Sequence, residues 1–203
     1  ELKEARLQGV KFSSATKLNF DAIRGQTPTA RGPTQTRRSQ TQKFRGVSRR
    51  PFVIGITGTK GKGTTATLIY KILKAVLRLR SGQAGKKIFL AGNIGKPALD
   101  LLPRLDKKSV VVMELSSFQL QDLDESPPLA VILDIFPDHQ DAHLGLKEYY
   151  GAKASIARHQ RKADKVFYFK TNKMSGATAE KSPGTKIGVD ERTFRLLRPA
   201  DLK

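Results

Sequence analysis

The chain contains no cysteine among its 203 residues. Neither a disulfide nor a thiolate metal site can therefore form. No apolar run approaches the roughly 20 residues that a membrane-spanning helix needs. The opening residues Glu1-Leu2-Lys3-Glu4 lack the basic region and apolar stretch of a secretory signal. The expectation is a protein of the cytoplasm with no membrane partner. Acidic residues are also missing over a long span, with none between Asp21 and Asp100. That span holds 17 of the 38 Lys and Arg, and the whole chain carries a formal charge of +20. Such a charge ordinarily points to nucleic acid or another anionic surface. Eight of these cations lie between Arg24 and Arg50, where Phe44 is the one aromatic available for stacking on a base. Nucleic acid is therefore not the expected partner, and a monomer is expected.

Residues 1–21 read as a short helix, a turn at Gly9 and a strand-like Val10-Lys11-Phe12. Residues 22–50 change character: Gln-Thr recurs at 26, 35 and 40, and apolar side chains are sparse. Their burial could not offset the entropy of ordering the segment, which predicts a disordered, basic, low-complexity stretch. From Pro51 onward, apolar strand-length runs alternate with helical periodicity. Strands are expected at Phe52–Thr57, Lys87–Ala91, Ser109–Glu114, Leu129–Asp134 and Lys165–Phe169. Leu68, Ile69, Ile72, Leu73, Val76 and Leu77 make one apolar face on a helix over 64–79. Further helices are expected over 97–102 and 146–161. This alternation predicts an α/β fold, a mostly parallel sheet with helices on both faces. Ligands of such sheets bind outside the carboxyl ends of the strands.

Four groups of residues fall at such strand ends or on the following helices. Gly58-Thr59-Lys60-Gly61-Lys62-Gly63-Thr64-Thr65 joins the first strand to the first long helix. Its glycines permit a tight turn whose N–H groups can surround phosphate oxygens, and the helix N-terminus adds partial positive charge. Lys62 supplies a mobile cation. The common phosphate loop places Ser or Thr directly after its lysine, as a Mg²⁺ ligand. Here Gly63 stands there, so Thr64 or Thr65 must serve, or one metal bond passes through water.

Glu114 ends the strand Ser109–Glu114 and could bind Mg²⁺ through oxygen, or be a solvated strand-end acid. Asp134-Ile135-Phe136-Pro137-Asp138-His139-Gln140-Asp141-Ala142-His143 is either a metal-binding loop or a polar loop with helix-capping aspartates. On the helix 146–161, Tyr149, Lys153 and Ile156 share one face. An inward lysine is costly unless paired or chemically altered; otherwise its stem would lie along the surface with the amine in water.

These strings, with Gly92-Asn93-Ile94-Gly95, Glu114-Leu115-Ser116-Ser117-Phe118-Gln119-Leu120 and Tyr150-x-x-Lys153, stand in an order that resembles the central ATPase domain of the Mur ligases. The Glu-Leu-Ser-Ser-Phe-Gln-Leu string most resembles the D-glutamate-adding branch; another Mur ligase or a folylpolyglutamate synthase, which share the phosphate loop, is the alternative. The resemblance covers residues 51–203 and is interrupted near 79–85. It implies that residues 1–21 are the tail of a nucleotide-sugar-binding domain, that 22–50 are an insertion, and that a C-terminal ligase domain is absent. It also implies ATP and Mg²⁺ as cofactors, and UDP-MurNAc-L-alanine and D-glutamate as substrates joined through an acyl phosphate. By the same resemblance Lys62 would hold the β- and γ-phosphates. Thr64 and Glu114 would bind one Mg²⁺ and His139 a second. Lys153 would be carbamylated and support the metal site. Asn93, Ser116 and Gln119 would contact substrate.

Overall fold

The computed structural model describes residue 17 and residues 51–79, 86–93, 98–138, 145–190 and 192–193. The readings made for residues 1–16, 18–50, 80–85 and 139–144, His139 among them, lie outside the described residues.

Six strands form one sheet. They are β1 (Phe52–Thr57), β2 (Lys87–Gly92), β3 (Ser109–Glu114), β4 (Leu129–Ile132), β5 (Lys165–Phe169) and β6 (Thr185–Val189), and they lie side by side in the order β2-β3-β1-β4-β5-β6. Every neighbouring pair is parallel. Parallel neighbours cannot be joined by tight turns, so each connection crosses a face of the sheet, and here helices make the crossings. They are α1 (Lys62–Leu79), α2 (Ala98–Leu101, continued by a 3₁₀ turn Leu102–Arg104), α3 (Ser117–Gln121), α4 (Leu146–Arg158) and α5 (Lys173–Ala179).

Side-chain alternation divides the core. Val53, Val111, Met113, Ala130, Ile132 and Val166 point to one face, where they meet Leu101 of α2, Leu120 of α3, Tyr149 and Ile156 of α4 and Ala179 of α5. Ile54, Ile56 and Val112 point to the other, against Ala66, Ile69, Tyr70 and Leu73 of α1. The expected α/β architecture with helices on both faces is therefore the one observed. β1, apolar from Phe52 to Ile56, lies inside the sheet between β3 and β4, which is where a strand buried on both faces belongs.

Three expectations need adjustment. The strand expected over Leu129–Asp134 ends at Ile132, because the Asp134 carbonyl turns away to accept the Thr59 N–H at 2.8 Å. The helix expected over 146–161 ends at Arg158, with His159 at its C-cap. Beyond the expected elements, α3, α5 and β6 are also present.

At the amino end of the sheet, buried polar groups satisfy one another. Gln160 Nε2 donates to the carbonyls of Pro127 (2.9 Å) and Lys165 (3.0 Å), and Ser182 Oγ donates to Gln160 Oε1 at 2.6 Å. Such bonds satisfy buried polar groups and hold the strand ends together.

Candidate functional site

The carboxyl end of the sheet differs. β1 runs out at Thr57, whose hydroxyl donates to the Leu115 carbonyl at 2.9 Å. The chain then turns through Gly58–Gly61 into α1. Gly58 lies so close to β4 that a Cβ would stand 2.7 Å from that of Leu133, and Gly61 has φ +78°, a region that disfavours side chains. Thr59 fastens the turn. Its N–H donates to the Asp134 carbonyl, and its hydroxyl accepts from the Phe136 N–H at 2.8 Å. The same hydroxyl lies 3.1 Å from the Phe136 carbonyl and 3.0 Å from the Tyr149 hydroxyl. If Tyr149 donates to Thr59 and Thr59 donates to Phe136 O, every partner is satisfied.

α1 opens with Lys62 and has no acidic residue in its first turn. A helix N-terminus carries partial positive charge and ordinarily attracts acids. Here a lysine reinforces that charge. The local potential is thus the one that favours an anion with several oxygens. Lys62 Nζ donates to the Thr59 carbonyl at 3.0 Å. Thr64 is exposed and Thr65 half-buried on the first turn, with the Thr65 N–H bonded to the Gly61 carbonyl at 2.9 Å.

Glu114 closes β3, in register with Ile56 of β1 and Gly92 of β2. It is only 5% exposed. Its Oε2 is buried and has no hydrogen-bond partner among the described residues. Burial raises its pKa, and the Lys62 cation opposes that rise. A buried carboxylate oxygen without a donor costs stability unless something positive completes it. A hard divalent cation would do so, so the donor set fits Mg²⁺.

Lys153, on α4, is 2% exposed. Its amine donates to the Gly58 carbonyl at 2.8 Å and lies 4.8 Å from the centre of the Tyr149 ring. Burial, with a smaller contribution from the Lys62 cation, lowers its pKa to about 8; Asp138 acts the other way. The amine is thus aimed inward, at the phosphate loop. The surface-lying alternative does not describe it.

Sequence-expected residues therefore converge in part. Lys62, Glu114 and Lys153 meet around Gly58–Thr65 at the carboxyl rim. Asn93 stands at the same rim after β2, exposed, with its N–H 3.4 Å from the Glu114 carbonyl. Ser116 and Gln119 follow β3 but hold each other. Ser116 Oγ accepts from the Gln119 N–H (3.3 Å) and Gln119 Oε1 from the Ser116 N–H (2.9 Å), a reciprocal cap on α3.

Two contributors escaped the sequence reading. Tyr149 was placed only on the face of Lys153, although it also steadies Thr59. Asn172, three residues before Ser175, carried a legible capping signal. Its Oδ1 accepts from the Ser175 N–H at 2.8 Å and from the Ile135 N–H at 3.4 Å, while its Nδ2 donates to the Ile135 carbonyl at 3.3 Å. It thereby ties α5 to the loop that buttresses Thr59.

With this geometry in hand, the chain can be set beside known proteins. A family model described as the Mur ligase middle domain matches residues 56–198. The chain belongs to the Mur ligase family. Several curated relatives carry the name UDP-N-acetylmuramoylalanine--D-glutamate ligase. That of Symbiobacterium thermophilum is 46% identical over 112 residues, covering 55% of this chain and 23% of the relative. That of Clostridium acetobutylicum is 39% identical over 123 residues, covering 61% and 25%. That of Clostridioides difficile is 33% identical over 168 residues, covering 72% and 36%. The chain thus spans about a quarter of the length of the first two. Among solved structures, MurF from Acinetobacter baumannii superposes with a TM-score of 0.49 at 21% identity, over 70% of this chain and 31% of that one.

Proposed function

We propose that this chain provides the ATP-binding part of a cytoplasmic ligase that adds D-glutamate to UDP-MurNAc-L-alanine in peptidoglycan precursor synthesis. The observation that carries the reading is the meeting of Lys62, Glu114 and Lys153 at one rim of the sheet, around a loop built to receive phosphates. Residues 51–203 would form this ATP-binding unit, residues 1–21 the end of a nucleotide-sugar-binding domain, and residues 22–50 an insertion between them.

In this reading the γ-phosphoryl group of ATP passes to the free carboxylate of UDP-MurNAc-L-alanine. The acyl–O–P bond forms as the bond to the β-phosphate oxygen breaks, and ADP leaves. The D-glutamate amine then attacks the acyl carbon, loses a proton, and expels inorganic phosphate. Both acceptor and donor are anions, so the protein's task is to hold them together and offset their charge. Loop N–H groups within Gly58–Thr65, other than those of Thr59 and Thr65 that already bond to Asp134 and Gly61, fix the β- and γ-phosphates together with the Lys62 amine. Thr59, held by Phe136 and Tyr149, keeps that loop in one shape.

Glu114 and Thr64 would hold one Mg²⁺ and His139 a second, and Mg²⁺ when bound supplies positive charge between the reacting anions. Lys153, with its pKa lowered to about 8, releases its proton more readily than an exposed lysine. The neutral amine can add carbon dioxide, forming an N–C bond and releasing a proton, which turns an inward cation into an anion beside the metal-binding carboxylate. Asn93, Ser116 and Gln119 would contact the acceptor substrate.

Calorimetric titration with ATP tests the assignment. Lys62→Ala is expected to weaken nucleotide binding by about tenfold to a hundredfold, the worth of a charge-assisted phosphate contact. Unchanged affinity in that variant defeats the phosphate role. Substrate class is read separately: ATP turnover by the complete enzyme should rise with UDP-MurNAc-L-alanine and not with a folate.

A further inference from the structure

Parallel strands all begin at one end of the sheet, so the segments that enter them share one edge, opposite the carboxyl rim. Cations crowd that edge. Lys86 leads into β2, Lys107 and Lys108 lead into β3, and Arg161, Lys162 and Lys165 lead into or open β5. All six are exposed, and none has an ion pair among the described residues. Helix ends do not account for them. Cations complement a helix dipole within its last turn, whereas strands carry little net dipole. Arg161 and Lys162 lie beyond His159, the C-cap of α4. Most acids of the edge are engaged: Asp106 accepts from Lys87, Ser109 and the Lys108 N–H, Asp164 accepts from the Arg161 N–H, and Asp124 pairs with Lys17. Asp122, at the end of α3, is exposed. Residues 44–50 and 80–85, which precede β1 and Lys86 in sequence, contain four arginines and no acid.

Strand order sets the spacing. β1 and β4 separate β3 from β5, so the basic groups of those two strands lie about 14 Å apart, three inter-strand steps. Between them β1 begins with Phe52, which is 44% exposed. Of the exposed aromatics among the described residues, Phe118 and Phe136 follow the carboxyl ends of strands, and Phe52 alone begins one. Two kinds of anionic partner meet such an edge. A single-stranded nucleic acid stacks its bases on successive aromatics, and this edge offers one. A duplex is read by an element that enters a groove, and here strands merely begin. A bilayer needs neither, because its headgroups meet dispersed cations while an aromatic ring settles into the interface. We propose that this amino edge of the sheet is a docking face for an anionic lipid bilayer, with Phe52 at its centre and the two basic groups on the phospholipid headgroups. No helix among the described residues is long and apolar enough to cross a membrane, so the contact is peripheral. It leaves the carboxyl rim, with Lys62, Glu114 and Lys153, facing away from the bilayer. The inference concerns location and holds whether or not the ligase chemistry assigned above is correct.

The chain has no tryptophan, so Phe52→Trp places a single indole fluorophore on the docking face. The 203-residue variant is titrated at physiological salt with vesicles of equal parts phosphatidylglycerol and phosphatidylcholine, and with vesicles of phosphatidylcholine alone. Its emission is expected to shift to the blue on the anionic vesicles only. Phe136→Trp, at the carboxyl rim and 52% exposed, should sediment with the same vesicles while its emission stays unchanged. Lys86→Glu combined with Lys107→Glu and Lys108→Glu should weaken partitioning by about a hundredfold, since each lysine at an anionic surface is worth about fivefold. The same reversal of charge at Arg31, Arg37 and Arg38, within the basic low-complexity stretch, should weaken it much less. Circular dichroism should show both triple variants folded. Equal losses in the two triple variants overturn the proposal, because net charge and not the edge would then govern binding. So does a blue shift at position 136 as large as that at position 52, an absence of binding to the anionic vesicles, or tighter binding to polyuridylate RNA than to those vesicles.

Discussion

A lysine held out of water beside a carbonyl titrates with the fold around it. Unfolded, Lys153 keeps its proton up to about 10.5; folded, it begins to release it near 8. Between those values the unfolded chain binds the extra proton, so stability rises with pH across that window. In CO₂-free buffer the native protein should gain about 3 kcal/mol relative to Lys153→Met between pH 7 and pH 10.5. Denaturant unfolding at several pH values reads this, and parallel curves for the two proteins would contradict the burial of a titrating amine. Glu114 has the opposite sign. Its pKa is raised, so the folded state holds a proton that the unfolded state has already lost, and stability falls as pH rises above 4.5 through the raised value. Glu114→Gln should accordingly be more stable than the native protein at pH 7, with the difference shrinking toward pH 4, and should lose any stabilisation by added Mg²⁺. Thr59 is a structural residue within the phosphate loop. Thr59→Val strands the Phe136 N–H and the Tyr149 hydroxyl, and should lower stability by about 1–3 kcal/mol, read as a fall in melting temperature.

At the scale of elements, the clamps matter more than the lengths. Asn172→Ala removes the cap of α5 and both bonds to Ile135 together. A loss of about 1–2 kcal/mol is expected, accompanied by weaker nucleotide binding because the loop behind Thr59 loosens. Asn172→Asp, which keeps the cap acceptor but not the donor to Ile135 O, should restore stability more fully than affinity. The central strands and α1 were legible in the sequence because long apolar runs and a helical period of apolar residues leave little choice. β6, Thr-Lys-Ile-Gly-Val, is too short and mixed to announce itself, and α5, Lys-Met-Ser-Gly-Ala-Thr-Ala, has no apolar period. The site was legible in its charged members. Lys62 stood out by its place in the Gly-rich turn, whereas Glu114 read equally as a solvated strand-end acid and Lys153 as a lysine lying along the surface until the family resemblance singled them out. Ser116 and Gln119 read as substrate contacts, whereas what the fold shows of them is a helix cap; a capping-box spacing in the sequence carries that information. The link from Tyr149 to Thr59 spans 90 residues and was invisible, because no local pattern encodes which distant loop a buried hydroxyl will meet.

At the scale of the whole molecule, the formal charge of +20 is unevenly spread along the chain. Residues 22–50 hold eight of the 38 Lys and Arg. If they are an insertion, deleting them should leave ATP affinity unchanged at physiological ionic strength, where charges beyond about 8 Å are largely screened. A fall in both affinity and melting temperature would show instead that the segment belongs to the fold. The order of the strands also fixes when the candidate site can take its shape. Gly58 to Lys62 are among the first residues of the sheet to be translated, yet their shape depends on Leu133, Asp134, Phe136 and Tyr149, and Lys153 follows Gly58 by 95 residues. A nascent chain on the ribosome therefore carries the Gly58–Thr65 string through 95 further residues before Lys153 can reach the Gly58 carbonyl and hold the loop in this shape.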